Sequence, residues 1–446
     1  MNKNYIISSS ITLLGIFFAF ALFSFELKRY QTLPLIGTYV FLFILIWIWV
    51  KKYSSIGNIF FLGIICRLIF WNYIPNLSQD FYRFIWDGSI QLFGINPYHY
   101  TPNEIIDLVG FPNSQLLFEK MGNLSRNNFS NYPPISQYLF ALAANFNSEN
   151  IFTPILCIRS VYLVSEMIIF FVIKSLLEKL ILSKEYLAWY FLNPLVIIEG
   201  YGNLHGECLM MCFTFISWLY CIKRQPILGG IFMAFAIGTK LLPLILVPFF
   251  FQYLGLKNFI VYGVFILIFG GIIFLPYWDE NFFPNYLQTI QLWFSTFEFN
   301  GSIYNIIRAI GYKLKGYNII KDIGKITPYL ISVFVFVFSF IKSNREPKDI
   351  FKNMLFILSI YFFVSTTVHP WYIINLIILG ILSGYLYPVL WSMTVFWSYS
   401  AYGVEIVEEK LYWQIGAYFL VYLCVFYEFF KERLGHHLQK TNFLRT

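Results

Sequence analysis

Apolar runs of roughly 17 or more residues recur from one end of this chain to the other, each long enough to be read as a membrane-crossing helix. In hydrocarbon such a run can satisfy its own backbone hydrogen bonds only as a helix, so an all-α, polytopic transmembrane protein is expected. Composition agrees: of 446 residues, 58% are hydrophobic and 12% charged, with 52 Phe, 33 Tyr and 12 Trp, where an ordinary soluble domain has about 25% charged residues. A soluble enzyme, a disordered scaffold and a disulfide-rich secreted module are thereby excluded. The length accommodates about 12–14 membrane segments in one body, a single integral-membrane domain over 1–446.

The segments fall near 5–25, 33–50, 56–74, 155–174, 185–200, 206–222, 227–240, 241–253, 258–276, 327–342, 352–367, 371–387, 388–403 and 411–430. The 227–253 stretch holds two halves too short for straight crossings, so it reads as a re-entrant pair or as one helix broken near Pro243. The run at 5–25 is too long for a signal h-region and lacks a small-residue cleavage site, so it is expected to stay attached as a helix. The net charge of +8 comes from basic clusters between apolar runs: Lys51 and Lys52, Lys174 to Lys184, Lys223 and Arg224, Lys257, Lys342 to Lys352, and Lys431 to Lys440. That pattern encodes orientation and does not call for a nucleic-acid partner. It puts both termini and the basic loops in the cytoplasm. The six cysteines form no CxxC pair, and His205 with Cys208 and Cys212 lacks a fourth ligand nearby, so these thiols read as small core residues.

Two long connections face the opposite, non-cytoplasmic side: a first outer loop over 75–154 and a second over 276–327, both expected to carry surface helices. Loops of that length are rarely mere connectors. The orientation rule works only if Pro134 to Asn147 is a short surface helix and not a span. In Ser78-Gln79-Asp80-Phe81-Tyr82-Arg83-Phe84-Ile85-Trp86-Asp87-Gly88, helical spacing puts Asp80, Arg83 and Asp87 on one face. Two carboxylates at a membrane boundary are costly. They are either a base with its cation or a helix cap with ordinary ion pairs. Downstream, Gly94-Ile95-Asn96-Pro97-Tyr98-His99-Tyr100 and Asn131-Tyr132-Pro133-Pro134 combine turn formers with aromatic faces, which suit either sugar C–H surfaces or an interfacial belt.

The order D-x-x-x-x-x-W-D-G, G-x-N-P-Y and Y-P-P in the first outer loop continues with Asn193-Pro194-Leu195 and Gly202-Asn203-Leu204-His205-Gly206-Glu207. Lys240-x-x-Pro243 and His369-Pro370-Trp371-Tyr372 follow. Together these resemble the GT-C superfamily, and within it the bacterial relatives of glycosylphosphatidylinositol-type mannosyltransferases, over most of residues 56–375. The chain departs from the simplest pattern in having two hydrophobic segments ahead of the span that leads into the aspartate loop, which leaves the role of residues 1–55 open.

The resemblance implies an inverting hexosyltransferase that moves a sugar, mannose first among the choices, from a polyprenyl-phosphate donor to a glycan or glycolipid acceptor. It matches Asp80 to the general base, with Asp87 beside it as partner of Arg83 or ligand to acceptor or metal. Arg83, Lys240, Arg308 and His369 are then the groups for the donor phosphate, and His205, Glu207, Tyr98 and Tyr132 those for sugar or acceptor. Lys240 is singled out because a lysine inside an apolar segment costs about 2.5–3.5 kcal/mol on insertion scales and calls for an anionic partner. Asp80 with Asp87 could help hold a divalent cation, but two carboxylates without a third ligand are a weak signal and cationic side chains alone can stabilise a phosphate leaving group, so neither metal nor other cofactor is expected. A flippase or a polymerase of lipid-linked sugars is the alternative. The richness in Phe, Tyr, Ile, Asn and Lys fits an AT-rich bacterial genome and hence a plasma-membrane protein.

Overall fold

The computed structural model describes residues 3–53, 55–148 and 150–443. The described residues fold as helices joined by turns and irregular connections, with two isolated β-bridges, Phe299 to Thr367 and Tyr402 to Val407, and no strands. Among the described residues six helices are long and apolar enough to cross a membrane: Ile7–Phe25, Thr32–Tyr53, Phe152–Lys179, Leu256–Tyr277, Ile320–Ile341 and Leu411–Glu432. A seventh crossing is formed if Val196–Gly202 and Glu207–Ile222, bent by 104° at their junction, count as one broken span. Other apolar segments fold as shorter helices, Ile56–Leu68, Pro226–Thr239, Leu242–Leu254 and Pro370–Ser383.

Apolar side chains turn outward along the peripheral helices: Leu267, Ile272, Leu330 and Val333 are all exposed. A water-soluble protein would not tolerate that much contiguous apolar surface, whereas lipid makes it costless. The middle of the bundle is different. Residues 195–212 and 373–383 are buried almost without a break, so these segments form the axis around which the lipid-facing helices pack.

Local chemistry explains why the central segments are broken. Asn193 accepts from the Leu195 amide through Oδ1 at 2.9 Å, and Pro194 follows, so the helix begun at Ala188–Phe191 ends before the π-helical turn Val196–Gly202. The expected crossing at 185–200 is therefore a set of short pieces. Beyond that turn Leu204 takes a left-handed φ of 62°, uncommon for a residue with a Cβ, and there the chain bends. In the 227–253 stretch the break lies at Lys240, whose φ of −150° and ψ of 145° are extended; it precedes Pro243 by three residues.

In the first long connection, Asp80–Leu92 packs on Pro134–Ala144, an 11-residue helix within the 134–147 stretch where a short helix is expected. Gly88 permits the contact, since a Cβ there would overlap the Phe140 carbonyl. The second outer loop carries two further helices, Phe282–Ser295 and Ile303–Lys315. Its strap at 297–300 is tied to the 366–368 segment: the Phe299 amide donates to the Thr366 carbonyl at 3.1 Å and the Val368 amide to the Phe299 carbonyl at 2.8 Å.

Candidate active site

Asp80 is the first residue of its helix, where the unsatisfied amides and the helix dipole favour a carboxylate. Its amide donates to Ser78 Oγ at 3.3 Å, and about a third of its side chain, 33%, remains accessible. The mass of protein around it strips away water and raises its pKa to about 6; the Lys240 ammonium acts in the opposite sense, and the Glu207 carboxylate adds to the rise. A carboxyl poised there is ionised at neutral pH yet basic enough to take a proton.

Four other parts of the chain gather around Asp80. From the bend after the π-helical turn comes His205, with Nδ1 3.9 Å from Asp80 Oδ2 and Nε2 3.4 Å from Glu199 Oε2. From the start of Glu207–Ile222 comes Glu207, whose Oε1 accepts from Lys240 Nζ at 2.5 Å. The extended backbone at Lys240 delivers this cation from the break between two short helices. Glu207 is 1% exposed and Lys240 21%, so the lysine does have the anionic partner its position demands. From the late segment comes His369, and between the two histidines lies Trp371. The indole stacks on His205 with centroids 3.5 Å apart and on His369 at 4.3 Å. Burial, with Lys240 adding to it, lowers the His369 pKa to about 3, so at neutral pH this imidazole offers hydrogen bonds but no charge.

Arg83 and Asp87 share a face of the Asp80–Leu92 helix, as their spacing requires, but their bonds run into the loop itself. Arg83 Nε donates to Asp87 Oδ1 at 2.5 Å, Nη1 to the Asn128 carbonyl at 3.0 Å and also to the Ser125 carbonyl. Asp87 Oδ2 accepts from Ser130 Oγ at 2.6 Å and Gln137 Nε2 at 3.1 Å. The pair staples Asp80–Leu92 to the rest of its loop. Tyr98 is fully buried, its hydroxyl donating to the Tyr132 carbonyl at 2.6 Å, and its ring packs against Tyr277, Phe282 and Tyr286. Tyr132 lies edge-on to Phe84 and Phe140. Arg308 pairs with Glu298 at 2.8 Å within the second loop. The structure thus gathers Asp80, His205, Glu207, Lys240 and His369, and it holds Asp87, Arg83, Tyr98 and Arg308 in other networks. Among the described residues no three of His, Cys, Asp and Glu converge in a way that could hold a metal ion.

Several residues around the site escape a linear reading. Glu199 sits in an apolar stretch and is fully buried; its only sequence signal is the cost of a carboxyl at that depth. Arg159 is also fully buried and donates to the carbonyls of Trp71, Tyr73 and Gly202 at 2.9, 2.8 and 3.0 Å, holding the approach to Asp80 against the bend that carries His205. Arg29, from the connection between the first two helices, donates to Gln79 Oε1 at 3.3 Å and lies over the Tyr402 ring at 5.1 Å. Its charge also lowers the Asp80 pKa, so the segment 1–55, whose role the motifs left open, reaches the site.

An apolar cavity of ≈ 350 Å³ opens alongside, walled by Leu244, Ile245, Trp293, Ile331, Tyr361 and Tyr372 among others. Two of these walls are shared with the site, because the Trp293 and Tyr372 rings both lie edge-on to His369, at 6.5 and 5.5 Å.

Comparison with known proteins decides the family. The family model described as alpha-(1->6)-mannopyranosyltransferase, N-terminal domain, matches residues 21–255, more than half of the chain. The chain belongs to this family. Its matched region holds Asp80, Glu199, His205, Glu207 and Lys240, while His369 and Trp371 lie beyond it. Alpha-(1->6)-mannopyranosyltransferase A of Corynebacterium glutamicum is similar, with 21% identity over 186 residues, 42% of this chain and 36% of that protein. The chain thus aligns with about a third of that relative's length. No solved structure matches. The mannosyltransferase kinship implied by the order of the motifs and the family found by comparison agree.

Proposed function

We propose that this protein is a membrane-embedded mannosyltransferase that takes its sugar from a polyprenyl-phosphate donor and transfers it, with inversion, to a glycan or glycolipid hydroxyl. The observation that carries the reading is the meeting of Asp80, with a pKa near 6, and the Lys240–Glu207 pair and the His205–Trp371–His369 stack beside an apolar cavity. Such a cavity, within the roughly 300–1,000 Å³ usual for ligand pockets, suits a lipid carrier and serves no purpose for a nucleotide sugar. The family and its corynebacterial member, whose name specifies alpha-(1->6)-mannopyranosyl transfer, support mannose and that linkage.

The chemistry follows from the geometry. Asp80 accepts the proton of the acceptor hydroxyl as that oxygen attacks the anomeric carbon; the bond from that carbon to the phosphate oxygen breaks, and the lipid phosphate leaves with the electron pair. Lys240 and Arg29 supply positive charge where the phosphate develops its own, and neutral His369 supplies a hydrogen bond. Lys240 approaches already paired with Glu207, so its help depends on the phosphate competing for an ammonium that has three donors. Asp87 and Arg83 act by keeping the helix under Asp80 in place. Tyr132 and the indole of Trp371 offer flat faces for a sugar ring. Both outer loops lie at the non-cytoplasmic face of a bacterial plasma membrane in this scheme, with both termini in the cytoplasm.

The test is transfer by purified protein in liposomes, from a panel of radiolabelled polyprenyl-phosphate hexoses to a native-membrane lipid extract, with Asp80→Asn alongside. Product that requires Asp80 supports the reading. Movement of labelled carrier across the bilayer by both proteins, without product, overturns it in favour of a flippase.

A further inference from the structure

Glu199 is a carboxyl that the reaction scheme leaves idle. It is fully buried in the π-helical turn Val196–Gly202, and among the described residues neither lysine nor arginine comes within 4.0 Å of it. Its Oε1 accepts a hydrogen bond from Tyr399 Oη at 2.7 Å. Its Oε2 has no hydrogen-bond partner, and neither does His205 Nε2, 3.4 Å away. The other edge of the same imidazole points to Asp80, Nδ1 to Oδ2 3.9 Å. His205 therefore stands between two carboxyl groups, one at the reaction centre and one sealed in the bundle.

We propose that Glu199 is a positioning residue that acts on Asp80 through His205: as a neutral acid it donates Oε2–H to Nε2, which leaves the imidazole proton on Nδ1, facing Asp80. This inference rests on Asp80 being the base. The surroundings make the neutral acid the consistent state. Asp80 and Glu207 already place two carboxylates nearby, and Lys240 is engaged by Glu207. Tyr399 and the Asn203 amide offer Glu199 hydrogen bonds and His205 offers it an imidazole, but among the described residues no cation stands beside it, so a third carboxylate there would lack a countercharge and be costly. The stack on Trp371 fixes the plane of the ring, and the two carboxyls fix its orientation within that plane. A neutral imidazole has one donor and one acceptor nitrogen, and which is which is set by the bond at the far side. With Nδ1–H toward it, Asp80 is held as an acceptor and keeps its free oxygen for the substrate. The two gaps, 3.4 and 3.9 Å, are longer than ordinary hydrogen bonds, in keeping with catalytic contacts that tighten only in the substrate complex.

Glu199→Gln and Glu199→Met separate this role from others. The Gln amide still donates to Nε2 and its oxygen still accepts from Tyr399, whereas Met fills the volume and does neither. In the full chain, the Gln variant should keep kcat within about threefold of the parent, and the Met variant should lose about tenfold or more in kcat with donor KM unmoved and its acidic pH limb displaced. If both variants lose activity equally, Glu199 must ionise and the tautomer assignment is wrong; if neither loses activity, Glu199 does not act on Asp80. Asp80→Asn in the same assay keeps the two ideas apart. Full activity in that variant removes the base itself, while an inactive Asp80→Asn beside a fully active Glu199→Met removes only the present inference. Should Glu199→Met fail to fold, 15N-histidine spectra of the parent chain, with His205→Gln to assign the signal, read the tautomer directly. A protonated Nδ1 supports the assignment and a protonated Nε2 overturns it.

Discussion

Lys240→Met is the perturbation that separates a structural from a functional role for the central ion pair. Lys240 Nζ lies 2.5 Å from Glu207 Oε1; the carboxylate is 1% exposed and the lysine 21%, and Glu207 Oε2 has no other hydrogen-bond partner. Removing one member of a buried pair costs about 3–5 kcal/mol because the other charge is left uncompensated. The partial exposure of Lys240 puts this case at the lower end, about 3 kcal/mol. Glu207→Gln should cost less, about 1 kcal/mol, since a lysine with a free path to the surface can turn its ammonium to water. The double variant Lys240→Met/Glu207→Gln removes both charges and should return to within about 1 kcal/mol of the parent, a strong positive coupling in a double-mutant cycle. Thermal unfolding in detergent reads this part. Transfer assays read the other: if Lys240 also meets the donor phosphate, the refolded double variant loses a charge-assisted contact of about 1.5–3 kcal/mol, which is about 10–150-fold in donor KM, with acceptor KM unchanged. A double variant that recovers both stability and donor KM would refute the phosphate role, and a single Lys240→Met variant as stable as the parent would refute the buried pair.

The acidic limb of kcat/KM should lie near pH 6, because Asp80 as the proposed base must be ionised to accept a proton: activity is present above that pH and falls about tenfold per unit below it. Glu207→Gln should move this limb to lower pH by removing a charge that raises the Asp80 pKa, and Lys240→Met should move it to higher pH; limbs that stay in place would show that another group titrates. Asp87→Asn should destabilise the first outer loop by about 1–3 kcal/mol through its bonds to Arg83, Ser130 and Gln137, with kcat surviving in molecules that remain folded; a folded but inactive variant would instead give Asp87 a direct part in the chemistry. Ile331→Trp, which narrows the apolar cavity, should raise KM for long-chain donors and spare short-chain analogues, and an equal effect on both would take the carrier out of that cavity.

What the linear sequence disclosed follows from what each signal measures. Apolar run length reports the cost of exposing backbone to lipid, so the all-helical membrane fold and a break in the 227–253 stretch could be read directly, while a short helix near Pro134–Ala144 followed from the placement of the basic residues. Run length is blind to helices buried in protein. The segments around Val196–Gly202 and Ala188–Phe191 are apolar because they form the axis of the bundle, and their short, bent geometry depends on the turn at Asn193 and on the left-handed backbone at Leu204. The same distinction governs the site. Asp80 and Lys240 were recognisable as charges in places where charge is costly, and His205, Glu207 and His369 through the order of the motifs that hold them. Pairing was not, because Lys240 with Glu207 and Trp371 between two histidines are contacts between segments far apart in sequence. Glu199 shows the limit most clearly: as a lone acid in an apolar run it could have been a capped end or a tolerated oddity, and it acquires meaning only once folding sets His205 between it and Asp80. A membrane enzyme that works on a carrier confined to the bilayer must place its ionisable groups where burial is expensive. In such a chain the residues that cost the fold most are where the chemistry should be sought, and their partners must be read in three dimensions.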